Sequence, residues 1–164
     1  ALALRRHLEV EEARAVADSM IRLNRIAARR LHEFHAHAVT DVTGFGLLGH
    51  AAGIARESGV ELNIRLSSLP FLPGVDRALE GRGTVPAGTH RNLDCYGCRM
   101  EIKAPDPKRA GLLVADPQTS GGLLVALPEK DADAYLRALG DEGVEGTRIG
   151  EAAAGDGGKI VILP

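Results

Sequence analysis

The run Ala38-Val39-Thr40-Asp41-Val42-Thr43-Gly44-Phe45-Gly46-Leu47-Leu48-Gly49-His50 constrains the fold more than any other stretch of this chain. A short apolar segment ends on a carboxylate, the backbone turns through a glycine, and an apolar helix pattern begins. That order predicts a strand, a turn and a helix, with Asp41 at the carboxyl end of the strand. Side chains and the free amides of a helix start converge at such a junction, so functional sites are common there. The residues allow two readings: a ligand-bearing turn, or a plain helix start capped by Asp41 or Thr43. On the first reading, Asp41 is expected at the end of an internal strand, open to a concave surface.

Apolar periodicity extends the prediction in both directions. Val16, Met20, Leu23, Ala27 and Leu31 recur every three or four positions and predict one long helix over residues 10–34, with Asn24 a polar exception beside the stripe. Residues 36–42 read as a strand and 45–58 as a helix closed by Gly59. Gly49 and Gly53 lie inside that helix and each costs about 1 kcal/mol relative to alanine, which predicts a backbone passing close by. Alternation of Val60, Leu62, Ile64 and Leu66 with polar residues predicts a half-buried strand. A proline-bearing segment then leads to a short helix ending near Leu79. Residues 80–107, rich in glycine and proline, read as a long irregular connection of the kind that is functional or mobile. Beyond it, 122–127 reads as a buried strand, 129–139 as a helix, and 143–152 with 158–163 as a terminal hairpin. The mixture predicts an α+β fold, a mixed sheet packed against helices.

Charge and composition narrow the function. Twenty Lys and Arg against 22 Asp and Glu give a formal charge of −2, which opposes a nucleic-acid surface. Arg5, Arg6, His7 and the series Arg22, Arg25, Arg29 and Arg30 make a local basic side that reads as a solvated stripe. No apolar stretch reaches the ~18 residues of a membrane span, and no secretory signal is present, so a cytoplasmic protein without nucleic-acid or membrane partners is expected. With three Phe, two Tyr and no Trp, the core must be built from aliphatic residues.

Three clusters carry chemistry. Asp41 is the strongest metal-ligand candidate: one carboxylate is too little for a tight Mg2+ site, yet it suffices as one ligand of a nucleotide-bound ion. Asp116-Pro117-Gln118-Thr119-Ser120-Gly121-Gly122 runs into a strand and reads either as an anion-binding turn or as a plain loop. Cys95 and Cys98 form a CxxC pair without the further ligands a zinc site needs, so free thiols, a disulfide or a thiol or metal-binding module all stay open. His32, His35 and His37 straddle a helix end and should diverge. His50 reads as a buried, hydrogen-bonded residue. There is no P-loop and no hydrolytic triad, and phosphoryl transfer requires neither.

Together, Thr40 to His50 and Asp116 to Leu124 resemble the signatures of the selenophosphate synthetases, also called selenide, water dikinases. Leu69-Pro70, Gly88-Thr89-His90-Arg91-Asn92 and the Met20, Asn24, Ala27 pattern resemble further segments of that family. The likeness covers nearly the whole chain, but only the C-terminal domain of the family. Its wider superfamily includes aminoimidazole ribonucleotide synthetase, thiamine-monophosphate kinase and a hydrogenase maturation factor.

The resemblance implies a fold like the C-terminal domain of aminoimidazole ribonucleotide synthetase. It also implies a parent enzyme that converts ATP, selenide and water to selenophosphate, AMP and phosphate with Mg2+. A related ATP-dependent synthetase or small-metabolite kinase is the nearest alternative. Asp41 matches the family's metal-binding aspartate, Thr43, Gly44 and Gly46 match its surroundings, and Thr119, Ser120, Gly121 and Gly122 match a family element near the domain interface, read as the far wall of the site. The family's reactive Cys or selenocysteine, its Lys and its other metal-binding aspartates lie upstream of Ala1, and neither Cys95 nor Cys98 matches them. No catalytic residue is therefore assigned, and residues 1–164 are expected to form a single C-terminal αβ domain, inactive alone. Its implied partners are an N-terminal ATP-binding domain, a second parent copy in a homodimer, and small-molecule substrates.

Overall fold

The computed structural model describes residues 8–80 and 85–164, so the expectations on Arg5, Arg6, His7, Gly81 and Gly83 lie outside the described residues. The chain runs α1 (Val10–Ile21), α2 (Arg25–Leu31), β1 (Ala38–Asp41), α3 (Gly46–Ser58), β2 (Glu61–Arg65), α4 (Val75–Glu80) and α5 (Ala87–Tyr96). It continues through β3 (Met100–Ile102), α6 (Pro107–Val114), β4 (Leu123–Ala126), α7 (Glu129–Gly140), β5 (Gly150–Ala153) and β6 (Ile160–Leu163). The architecture is α+β, as expected, but it uses two sheets. β1 and β4 form an antiparallel ribbon, and the other strands form a mixed sheet in the order β3-β6-β2-β5.

Alternation explains how the ribbon holds the molecule together. Successive strand residues point to opposite faces, so β4 sends Leu124 into one core while Leu123 and Val125 enter another. The first core packs Leu48, Ala51, Ala52 and Ala55 of α3 and Ala110 and Val114 of α6 against Ile64, Ile160 and Ile162 of the mixed sheet. The small alanine face lets α3 lie close to the strands. The second core joins Leu31 of α2 to Tyr135 and Leu139 of α7. There the Tyr135 hydroxyl donates to the Ala27 carbonyl at 3.0 Å, and its ring meets Phe34 edge-on.

Several expected elements take a different form. The long N-terminal helix breaks at Arg22, whose ψ of 123° is extended, and restarts after Asn24. Leu23 is 73% exposed, so the stripe that looked continuous serves two helices, and tertiary packing overrides periodicity at the joint. Residues 80–107 are not one irregular connection: within them lie α5 and β3. The inward face of α5 carries Thr89, Asn92, Leu93 and Tyr96, two of them polar, so hydrophobic periodicity could not reveal it. Next to it, α6 begins at the Asp106 cap, whose carboxylate accepts from the Arg109 amide at 2.9 Å, with Pro107 in the first turn. The terminal hairpin is also absent. β2 lies between β5 and β6, pairing antiparallel with the first and parallel with the second.

The helix glycines differ as well. A Cβ on Gly49 would strike the Phe45 and Tyr96 side chains, whereas one on Gly53 would meet open space. Neither receives the neighbouring backbone that was expected. Gly59 does behave as read, closing α3 in the left-handed region at φ 65°.

Candidate functional site

The strand-turn-helix expected around Asp41 is present, but β1 is not internal. Among the described residues its one partner strand is β4, with Asp41 opposite Leu123. Packing on the two cores covers both faces of β4, whereas β1 leaves one face exposed. Thr40 and Ala38 line a groove against α3 that also includes Gly49, His50 and Gly53. Val39 and Asp41 occupy the alternate positions and are exposed. Among the described residues, no ion pair or side-chain hydrogen bond engages the Asp41 carboxylate, which leaves its oxygens available.

Main-chain bonds carry the ribbon ladder beyond β1 and bring the two sequence motifs together. The Val42 amide donates to the Gly122 carbonyl at 2.9 Å, and the Gly121 amide donates back to Val42 at 3.1 Å. The Gln118 amide reaches the Thr43 carbonyl at 3.1 Å. A Cβ on Gly121 would fall inside the envelope of the Val42 carbonyl oxygen, so that approach demands glycine. Gly46 has φ 66°, and a Cβ there would sit 2.8 Å from the Ala115 carbonyl carbon and the Asp116 oxygen. The second loop therefore packs directly on the start of α3.

The remaining site candidates sit on or beside this seam. Gly44, Thr119, Ser120 and Gly122 are exposed, and Thr43 is half-buried. Among the described residues, Ser120 is the one non-glycine with positive φ, at 58°. A serine held in the left-handed region carries backbone strain of the sort that gathers at binding sites.

His50 organises the first turn from α3. Its Nε2 accepts the Thr43 amide at 3.0 Å and lies 3.2 Å from the Thr43 hydroxyl. Because Nε2 accepts, Nδ1 carries the proton and faces the Thr40 hydroxyl at 3.3 Å, which in turn donates to the Asp41 carbonyl at 3.2 Å. The expected hydrogen-bonded histidine is thus the one that shapes the backbone on both sides of Asp41.

Two asparagines escaped notice as site residues. Asn92 of α5, buried, donates from Nδ2 to the Gly44 carbonyl at 3.0 Å and to the Ala115 carbonyl at 2.9 Å. Asn24, at the joint of α1 and α2, donates to the Gly121 carbonyl at 2.9 Å. Asn24 did leave a signal, as the polar residue beside an apolar stripe. Asn92 stood within the Gly88 to Asn92 segment of the family resemblance, but no pattern could supply its partners.

Asp116 is the other titratable group at the seam. Burial pushes its carboxyl above the usual aspartate range, opposed by the Gln118 amide, which donates to it at 2.7 Å. The buried Thr89 hydroxyl lies close enough to favour the charge without forming a well-aligned hydrogen bond. With the folded value raised, the native state binds more protons than the unfolded chain between the two values. Stability from this group is then greatest at low pH and falls as pH rises from about 4 through that window. Asp116→Asn should lack this component, so the stability of wild type relative to the variant is expected to decline over the same interval. Urea unfolding of both proteins across the acid range measures it.

The other clusters stay apart from the seam. Cys95 and Cys98 are free and exposed, and no group of three potential metal-binding side chains occurs among the described residues. His32, His35 and His37 are exposed. Arg29 and Arg30 of the basic stripe both reach Glu142, at 2.8 and 2.7 Å, so that side is partly neutralised. No helix of the described residues is long and apolar enough to cross a membrane.

With this geometry in place, comparison with known proteins identifies the lineage. The family described as AIR synthase related protein, C-terminal domain, matches residues 2–163. The chain belongs to that family. Within it, a selenide, water dikinase of Bordetella bronchiseptica is 44% identical over 147 residues, which cover 90% of this chain and 42% of that protein. The selenide, water dikinase of Escherichia coli K12 is 36% identical over 156 residues, covering 94% and 44%. Such matches support a selenophosphate synthetase C-terminal domain. The chain spans well under half the length of these relatives. Among solved structures, the E. coli hydrogenase maturation protein HypE aligns with a TM-score of 0.55 at 20% identity, covering 83% of this chain and 34% of that one. That likeness concerns the fold alone.

Proposed function

We propose that this chain is the C-terminal half-site of a selenide, water dikinase, which makes selenophosphate, AMP and phosphate from ATP, selenide and water. The observation that carries the reading is the seam itself. Backbone bonds between 42–43 and 118–122 bring a free carboxylate, the exposed Thr119 and Ser120, and glycine-lined turns to one end of the ribbon. Exposed hydroxyls suit phosphate oxygens, and a carboxylate suits the cation that accompanies them.

Asp41 fits Mg2+ in one respect: its hard oxygens are exposed and unpaired. One carboxylate cannot hold that ion alone, so the remaining ligands would come from nucleotide phosphates, water and an upstream domain. Bound there, Mg2+ would neutralise phosphate charge during transfer. Thr43, Gly44 and Gly46 shape the near side, and Thr119, Ser120, Gly121 and Gly122 the far side. The upstream domain would bind most of the ATP, supply the reactive residue and form the homodimer, in a cytoplasmic enzyme.

Calorimetry tests the division of labour. The present chain is expected to bind Mg2+-ATP weakly or not at all, whereas a protein extended upstream binds it and produces AMP when selenide is supplied. Tight binding by the present chain, or AMP output indifferent to selenide in the longer one, would defeat the reading.

A further inference from the structure

We infer that Asn92, on α5, and Asn24, at the joint of α1 and α2, are positioning residues that brace the site and set its affinity for Mg2+. This rests on the reading that the two turns hold a metal-nucleotide complex. An amide nitrogen carries two hydrogens, and Asn92 directs its Nδ2 at two carbonyls, Gly44 on the first turn and Ala115 at the root of the second. Those carbonyls are 71 positions apart in sequence, so the side chain is a strut of fixed length between loops that nothing local connects. It is 6% exposed, and a buried amide is tolerated only where its hydrogen bonds are made.

Polarity on this face of α5 is matched to the loops rather than to the core. Leu93 and Tyr96, on the same helix, pack apolar surface against the first core, while Asn92 takes the position that meets the carbonyls. Asn24 Nδ2 donates separately to the Gly121 carbonyl. The Gly121 amide is already bonded to Val42. Both backbone groups of Gly121 are therefore fixed, one by the ribbon and one by Asn24. Ser120, in its left-handed conformation, is held beside that anchor.

The brace explains how a site made of glycines and exposed side chains keeps a defined shape. A metal shared between Asp41 and a nucleotide tolerates little error in ligand spacing, and displacement of about 1 Å in a positioning contact can cost ~100-fold in rate. Asn92→Asp keeps the side-chain size and replaces the two-hydrogen donor with an acceptor facing two carbonyls. Asn24→Asp does the same to the single bond at Gly121, in a half-buried position where folding is less at risk.

The test uses the upstream-extended protein at fixed ATP and selenide, with Mg2+ varied and AMP measured, and beside it calorimetric titration of Mg2+ into the same protein holding a non-hydrolysable ATP analogue, where the affinity should fall by the same factor. For Asn92→Asp the Mg2+ concentration giving half-maximal rate is expected to rise at least about fivefold, and for Asn24→Asp about two- to threefold, with the KM for selenide unchanged. Thermal melting establishes which variants fold. If Asn92→Asp does not fold, Asn24→Asp decides the matter. A merely structural role would lower the melting temperature and leave the Mg2+ dependence of the folded enzyme unmoved. Unmoved Mg2+ dependence in folded asparagine variants, alongside impaired activity of Asp41→Asn, would overturn the brace and spare the site. If Asp41→Asn were also unimpaired, the site reading itself would fall.

Discussion

Replacing Asp41 by asparagine in the upstream-extended enzyme is expected to reduce selenide-dependent AMP production at least about tenfold, equivalent to ~1.4 kcal/mol of transition-state stabilisation. The substitution keeps the shape of the side chain and removes its charge. Fold should survive, because the Asp41 carboxylate engages no described side chain and its backbone pairing with Leu123 is indifferent to the change. The loss should therefore appear in turnover and in Mg2+ dependence, with the melting temperature nearly constant. AMP quantification across a Mg2+ series, beside a thermal melt, makes the comparison. Undiminished AMP production would remove Asp41 from the site.

Gly46→Ala should act through stability instead. The left-handed backbone at φ 66° costs an L-residue about 1–2 kcal/mol. The added Cβ would also press on the backbone of Ala115 and Asp116 at 2.8 Å, and such overpacking typically costs ~1–3 kcal/mol more. Backbone cannot rotate aside as a flexible side chain can, so α3 or the second turn must shift. Urea unfolding should show a lower midpoint with an unchanged slope. A midpoint equal to that of wild type would mean that the close packing of the turn on residues 115–116 is not a constraint in solution.

What could be read in the sequence, and what could not, follows from where each element finds its partners. The stretch from β1 through α3 to β2 was legible because strand alternation, a glycine cap and apolar periodicity are local signals. α7 was legible for the same reason, since Ala132, Leu136 and Leu139 recur at helical spacing, although Tyr135 joins Leu139 as its buried residue. α5 was not, since Thr89 and Asn92 occupy its buried face and do polar work there. The terminal hairpin was misread because adjacency in sequence says nothing about a third strand entering between two others. At the site, Asp41 and the Thr119 to Gly122 turn were recognisable as motifs. The bonds from Asn24 and Asn92 were not, because a side chain that donates to a remote carbonyl leaves no periodic trace.

The seam between Val42 and Gly122 also fixes when the site can exist. Its two sides are 80 positions apart, joined by backbone bonds that require both to be present. Closing so long a loop carries an entropic cost that grows slowly with length and is met before the contacts it enables. During synthesis, Asp41 emerges long before the turn that completes its surroundings. Over that interval it is an ordinary solvated carboxylate at the end of an unpaired strand. On the proposed reading, the half-site exists only once β4 has paired with β1.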